Sequence, residues 1–413
     1  MAAMSVAYVH DYLENTRRVF EALPEISRAP HEPWTSRYDL FYDDEVFALP
    51  ALFKPPGRYE HLRSARTGKT VKRIHITEYG SVQPRLMRHS LHVREVVAAL
   101  MQWHQMTTRQ LGCQLGVEHA NLHRYLRPLY INGLLERAEF GQHPENRGKY
   151  DQIHQLHYGE PLHRWLAQFN NDDWAAITAA SPVEAPSFHV RHNLLMSELM
   201  LRIQEAGAPI AAALGERAAA ATGLLKAAGN DQLCGDGLIV RPDGLRIVIE
   251  LSQRQNADDI KRKMLRWARL LAPSRLRSAA TVVVFVNAAR DDHGKAQTRL
   301  RRVHAEVLSA EGLGSPTRPA TAAQVGSARA AVLIASWRDW FPEEGVIDAT
   351  FPTLPVGYLK PGNRNAWGRV NLLGDGPNTV PAPDPDPDLR VPIEAANHLY
   401  AVPSWLGNKP RKL

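Results

Sequence analysis

The sequence predicts an α/β protein, α+β overall, in which a small helix-rich domain precedes a larger domain built on a mixed sheet. Three observations predict it. Residues 89–134 hold three successive runs of helical periodicity, and two short β runs around a polar loop follow them. Residues 238–251 read as two β runs joined by the tight turn Arg241-Pro242-Asp243-Gly244. From there to residue 337, helical segments alternate with the apolar runs TVVVFVN and AAVLIASW, the pattern of strands buried on both faces under crossover helices.

Composition bounds what such a chain can be. At 413 residues and 44% hydrophobic content it has enough apolar surface for two or three domains with their own cores. Fifty Lys and Arg against 43 Asp and Glu leave a net charge of +7, a mild pointer to a polyanionic partner. Cys113 and Cys234 are the two cysteines, far apart in sequence, and they support neither a disulfide framework nor a cysteine zinc site. The first twenty residues carry Asp, Glu and Arg where a signal peptide needs an apolar core, and no run approaches the roughly 20 apolar residues of a membrane span. A cytoplasmic protein without a membrane partner is expected.

Residues 1–88 form a poorly defined N-terminal extension, with a strand expected over 70–78. Its basic residues Arg63, Arg66, Lys69, Lys72 and Arg73 read either as phosphate contacts or as a solvated face. The domain over 89–160 is clearer. VREVVAALMQWH, MTTRQLGCQLG and EHANLHRYLRPLYING predict three helices, with Thr107 or Thr108 capping the second, Gly116 turning the chain, and Asn132-Gly133 stopping the third. LLERAEF and YDQIHQLHY then read as two strands of a wing around GQHPENRGK.

A helix-turn-helix followed by a β wing is a winged helix, whose third helix enters the DNA major groove. Its exposed candidates are His119, Asn121, His123, Arg124 and Arg127, over a core stripe of Leu122, Leu126 and Leu129. Asn pairs bidentately with adenine and Arg with guanine, so Asn121 and Arg124 are the expected base readers. Arg147 and Lys149 of the wing would hold phosphates. Docking of a protein partner is the alternative use of the same fold. Pro128 is expected to kink or shorten the third helix. His119 and His123 stand four residues apart without a third ligand placed beside them, and no zinc site is assigned.

A helical connector spans 161–185, and the second domain is expected over 186–345. It opens on the amphipathic helix SFHVRHNLLMSELMLRIQEAG, which carries His189, His192 and Glu198. The hairpin follows, with Asp236 at the mouth of one strand and Glu250 near the end of the next. Pairing of those strands brings the two carboxylates together, hard oxygen ligands suited to a divalent ion that keeps water and a phosphate oxygen in its remaining places. The same arrangement is also what an ordinary structural hairpin with a polar face looks like. Residues 346–413 read as an irregular, Pro-rich C-terminal tail.

Asp236, Glu250 and the strands that carry them resemble the PD-(D/E)XK nuclease core, in which a lysine two residues beyond the glutamate orients the attacking water. Here that position is Ser252, and Gln253 follows it. The resemblance therefore passes the lysine's role to Lys261 or Lys263 on the next helix, and makes Glu198 an additional acid. The winged helix, the helix opening on histidine, the PDG hairpin, Glu250-Leu251-Ser252 and KRKMLRWARLL together resemble the replication-relaxation family over about residues 88–340. That resemblance implies a DNA-binding protein of a mobile genetic element, acting in plasmid replication or conjugative mobilisation. Its implied parts are recognition of an origin in double-stranded DNA, nicking with Mg²⁺ or Mn²⁺ held by Asp236 and Glu250, relaxosome or replication proteins as partners, and a possible homodimer. The alternative it leaves open is a non-catalytic DNA-binding regulator or relaxosome accessory protein on a degenerate nuclease fold.

Overall fold

A computed structural model describes residues 39–42, 59–63, 70–75, 90–117, 119–139, 152–179, 183–184, 189–206, 210–221, 233–253, 256–271, 280–310, 331–360, 365–380 and 399–401. The chain divides into two compact units. A helical unit comprises residues 22–34, 43–201 and 398–413, and a sheet unit comprises 1–21, 35–42 and 202–397.

In the helical unit, β1 (Tyr59–Arg63) and β2 (Thr70–His75) pair as an antiparallel hairpin. Then α1 (Leu91–Trp103) begins at Ser90, whose hydroxyl accepts the Val93 N–H, and buries Val93, Val96, Val97 and Leu100. The three-residue strand β3 (Gln105–Thr107) precedes α2 (Thr108–Leu115). Thr107 caps α2 as expected: its hydroxyl accepts the Gln110 N–H while the Gln110 side chain accepts the Thr107 N–H, which satisfies two donors that the first helical turn leaves open. Gly116 closes α2 at φ 64, a left-handed conformation that costs glycine nothing.

The third helix, α3 (His119–Ile131), buries Leu122, Leu126 and Leu129. It runs through Pro128 to Ile131, past the point where that proline was expected to shorten it. The ring removes only one helical donor, and the carbonyl so deprived belongs to the exposed Arg124, where water can serve instead. Strands β4 (Leu135–Glu139) and β5 (Gln152–Leu156) pair antiparallel, and β3 adds to the other edge of β5 in the order β3-β5-β4. The sequence reading missed β3, which is too short to show alternation.

The connector over 161–185 contains two helices, α4 (Glu160–Leu166) and α5 (Asn171–Thr178), and both belong to the helical unit. Arg94 on α1 donates to Asp173 on α5 at 3.0 Å, and the Tyr400 hydroxyl lies 3.2 Å from Arg94 Nη1 and 3.1 Å from Asp173 Oδ1. The boundary expected at 186 moves accordingly. The next helix, α6 (Val190–Glu205), is continuous, and the units divide inside it, between residues 201 and 202.

The sheet unit is built on seven strands: β6 (Ala212–Gly215), β7 (Gly237–Val240), β8 (Arg246–Ser252), β9 (Thr281–Asn287), β10 (Ala331–Ser336), β11 (Pro355–Leu359) and β12 (Trp367–Asn371). They lie in the order β12-β11-β10-β9-β8-β7-β6. The central β8, β9 and β10 run parallel, and antiparallel pairs flank them on both sides. Between the parallel strands come α7 (Ala257–Leu271) and α8 (His293–Ala310), and these pack against each other. Every residue of β9 is buried, as its uniformly apolar sequence requires. The predicted turn forms, with Gly244 N–H donating to Arg241 O and Arg241 N–H to Leu245 O, both at 2.9 Å.

The expectation of an irregular tail after 345 is corrected over residues 346–360 and 365–380, while the Pro-Asp tract and the last twelve residues lie outside the described residues. Strands β11 and β12 extend the sheet, and the Arg241 guanidinium donates to the carbonyls of Leu372 and Val380, binding the chain beyond β12 to the hairpin turn. The glycines of PVGYL and WGRVN hid these strands by reading as breaks. Gly368 is a packing residue instead, since a β-carbon there would lie 2.3 Å from the Tyr358 ring.

Candidate active site

Two strands and one helix build the candidate site. In the antiparallel β7–β8 pair Gly237 stands opposite Ile249, so Asp236, one residue before β7, comes level with Glu250 on β8. The backbone just before Asp236 passes so close to β8 that residue 235 has to be glycine: a β-carbon there would lie 2.2 Å from Val248 Cγ1. Val248 is fully buried and its branched side chain is stiff at χ1, so it has little freedom to yield. Gly235→Ala is expected to cost about 1–3 kcal/mol by overpacking. A urea midpoint unchanged from that of the parent chain would refute this.

Each carboxylate is held by one oxygen and offers the other. Asp236 Oδ2 accepts the Leu251 N–H at 2.6 Å, and Glu250 Oε1 accepts the indole N–H of Trp267 on α7. The remaining oxygens, Asp236 Oδ1 and Glu250 Oε2, both face the Lys263 amine, the first at 3.6 Å and the second in direct ion-pair contact. Lys263 and Trp267 are four residues apart on α7, one helical turn, so the two side chains reach the same carboxylate from one face of that helix.

Burial sets the electrostatics. Glu250 is 2% exposed, and loss of water pushes its carboxyl above the usual range; Lys263 opposes that shift and the neighbouring Asp236 adds to it. Burial pulls Lys263 downward, but the charges of Glu250 and Asp236, with the hydrogen bond to Glu250, outweigh it and hold the amine above its ordinary value. The site therefore retains the Lys263 ammonium beside two carboxyl groups, with Glu250 harder to ionise than an ordinary glutamate. Cys234 lies beside them. Its thiol donates to the Glu216 carbonyl at 2.7 Å, and burial, then the charges of Glu216 and Glu250, push its pKa up, the opposite of what a reactive thiolate needs.

The two lysines proposed from sequence separate here. Lys263 is at the carboxylates, whereas Lys261 pairs with Glu306 of α8 on the surface. Glu198, the proposed additional acid, is wholly buried on the part of α6 that belongs to the helical unit, whereas Asp236 and Glu250 belong to the sheet unit. His189 is exposed and His192 half-buried on the same helix. An acid that the sequence reading missed is Glu216. Gly215 pairs with Gly237, which brings Glu216 level with Asp236 from the other side, and its charge acts on both Lys263 and Cys234. The only sequence signal was its place directly after AAALG, an alanine-rich run too weak in β propensity to announce β6.

On α3, Asn121, His123 and Arg124 are exposed and Arg127 is half-buried. Arg124 lies over the ring of Tyr125 at 4.8 Å. The side chain of His119, and Arg147 and Lys149 entirely, fall outside the described residues.

The donor set bears on the choice of metal. Among the described residues no group of three or more His, Cys, Asp and Glu side chains converges as a metal site. Two hard oxygens facing one point do fit a magnesium-like ion, which binds through one or two carboxylates and keeps several waters, and they do not fit a structural zinc. Among the described residues no helix is long and apolar enough to cross a membrane. No family model, curated protein or solved structure matches the chain.

Proposed function

We propose that this chain is a DNA-binding protein of a mobile genetic element, acting in plasmid replication or conjugative mobilisation, and that its sheet unit is a metal-dependent nuclease core of PD-(D/E)XK type. The observation that carries this reading is the convergence of Asp236 Oδ1 and Glu250 Oε2 on the Lys263 amine. The succession α6-β6-β7-β8-α7-β9, antiparallel strands and then a helical crossover to a parallel one, is the frame the resemblance calls for. Here the lysine comes from α7 in place of Ser252. In the helical unit, three helices and the β3-β5-β4 sheet make up a winged helix, and α3 presents Asn121, His123 and Arg124 to an origin duplex.

In this reading Asp236 and Glu250 would hold Mg²⁺ or Mn²⁺, which would supply Lewis acidity at the phosphate and a more acidic bound water. The chain's own residues supply the positioning. Leu251 and Trp267 fix the two carboxylates so that little reorganisation is needed, and Lys263 orients the attacking water and offsets charge that builds up on the phosphate. Incubation of supercoiled origin plasmid with Mg²⁺ or Mn²⁺ tests this: the native chain is expected to nick, and Asp236→Ala is not. Equal activity of the two sinks the catalytic assignment.

One observation favours a second reading, a non-catalytic regulator or relaxosome accessory protein. Lys263 already pairs with the two oxygens that a cation would take. Its mark is origin binding that is lost in Arg124→Ala and indifferent to metal and to Asp236.

A further inference from the structure

The sheet unit carries a strongly basic surface that the proposed nuclease chemistry does not use. Helices α7 and α8 together hold nine Lys and Arg against three Asp and Glu, so they contribute six of the chain's seven net positive charges. The charge is ordered. On α7, Arg262, Arg266 and Arg269 follow the spacing i, i+4, i+7, which places them on one side of the helix, opposite the buried Met264, Trp267, Ala268 and Leu271. On α8, Lys295, Arg299 and Arg302 repeat the same spacing, away from the buried Leu300, Val303, His304 and Val307.

The two stripes form one surface. The helices pack together, and Lys261 of α7 pairs with Glu306 of α8, one turn beyond Arg302 in the α8 stripe. Arg262, Arg269, Lys295 and Arg302 are exposed, and side-chain exposures of 71% for Arg262 and 76% for Lys295 leave their charged groups open to solvent despite pairing with Asp259 and Asp292. Each stripe covers seven residue steps, about 10 Å at 1.5 Å per step, close to the rise of three base pairs at 3.4 Å each. Lys263 follows Arg262 on α7 and turns about 100° away from that stripe, toward the carboxylates.

We infer that the α7–α8 surface binds the phosphate backbone of duplex DNA without reading its sequence. Basic side chains repeated at helical spacing along two packed helices suit a phosphate ladder, whose contacts carry no sequence information. This inference rests on DNA being the partner of the proposed function, but not on cleavage.

The test uses the full chain and a fluorescein-labelled duplex of scrambled sequence, followed by anisotropy between about 50 and 200 mM NaCl. The variant is Arg262→Gln/Arg269→Gln/Arg302→Gln, with far-UV circular dichroism to check folding and Lys295→Gln/Arg299→Gln as a second variant on the other helix. The slope of log affinity against log salt is expected to fall by about 2.7 in the first variant, at ~0.9 for each phosphate that is no longer neutralised. An unchanged slope in both folded variants overturns the inference. So does loss of binding to phosphatidylserine vesicles while duplex binding is intact, which would assign the surface to a membrane. A chain that never nicks yet shows the slope change removes the nuclease reading and leaves this one standing.

Discussion

Lys263→Ala is expected to cut metal-dependent nicking by about 10²–10³-fold, the loss of one pre-organised cation at the developing charge, whereas Lys261→Ala retains activity close to that of the parent chain. The two residues are two positions apart on one helix and have different surroundings. Lys263 faces Glu250 and Asp236, and Lys261 faces Glu306 at the surface, where an exposed pair contributes little. Removal of Lys263 also leaves Glu250 buried without its counter-charge, so circular dichroism and a thermal midpoint must accompany the plasmid assay. Lys263→Arg is the discriminating variant. It keeps a cation on Glu250 but replaces a compact point charge with a planar fork, so a stable, folded, inactive Lys263→Arg supports a chemical role for the amine. Full activity in Lys263→Ala ends the assignment, and equal loss in Lys261→Ala and Lys263→Ala points to damaged packing of α7.

The hairpin was legible because its turn chemistry and its β runs agree about where the chain reverses, and register then determines that Asp236 meets Glu250. The choice between Lys261 and Lys263 was within reach of the sequence but was not made. Met264, Trp267 and Leu271 form a buried stripe, and Lys263 precedes Trp267 by one turn, so the lysine nearest the sheet follows from the helical period. Glu198 is buried as deeply as Glu250, and it stands in the helical unit whereas the Asp236–Glu250 pair stands in the sheet unit, a division that the amphipathic pattern of α6 does not report. Glu216, β6, β11 and β12 were not legible. Their strands are four or five residues long and alanine- or glycine-rich, and they hold their places by pairing with neighbours already formed, which a local pattern does not report.

Asp39→Ala is expected to destabilise the sheet unit by about 3–5 kcal/mol, the cost of breaking a buried ion pair from one side. Arg202 is 1% exposed and Asp39 5%, and they pair at 3.3 Å with the guanidinium 4.3 Å from the Phe341 ring centre. Asp39 also accepts the N–H groups of Phe41 and Gly345 at 3.3 Å. Around this pair Phe41 stacks on Trp337 at 5.2 Å and the Tyr42 hydroxyl donates to the Phe341 carbonyl at 2.6 Å, so residues 39–42 close over α9 (Trp337–Trp340) and the chain just beyond it. The alanine variant keeps a buried guanidinium and removes a carboxylate that compensates it. Neither charge has water to fall back on, so the solvent screening that makes a surface pair such as Arg262–Asp259 nearly neutral does not soften the loss. Against a typical total of 5–15 kcal/mol, a change of this size lowers the urea midpoint enough to be read directly. Asp259→Ala, removing an exposed carboxylate, is expected to leave the midpoint within about 0.5 kcal/mol of the parent. The double change Asp39→Leu/Arg202→Met separates charge from anchoring, because removal of both charges from a buried site is often neutral or stabilising. Recovery in the double variant assigns the loss to the guanidinium deprived of the Asp39 charge. If the double variant falls as far as Asp39→Ala, the loss belongs to the hydrogen bonds by which Asp39 holds Phe41 and Gly345, and residues 39–42 are then an anchored part of the sheet unit in their own right.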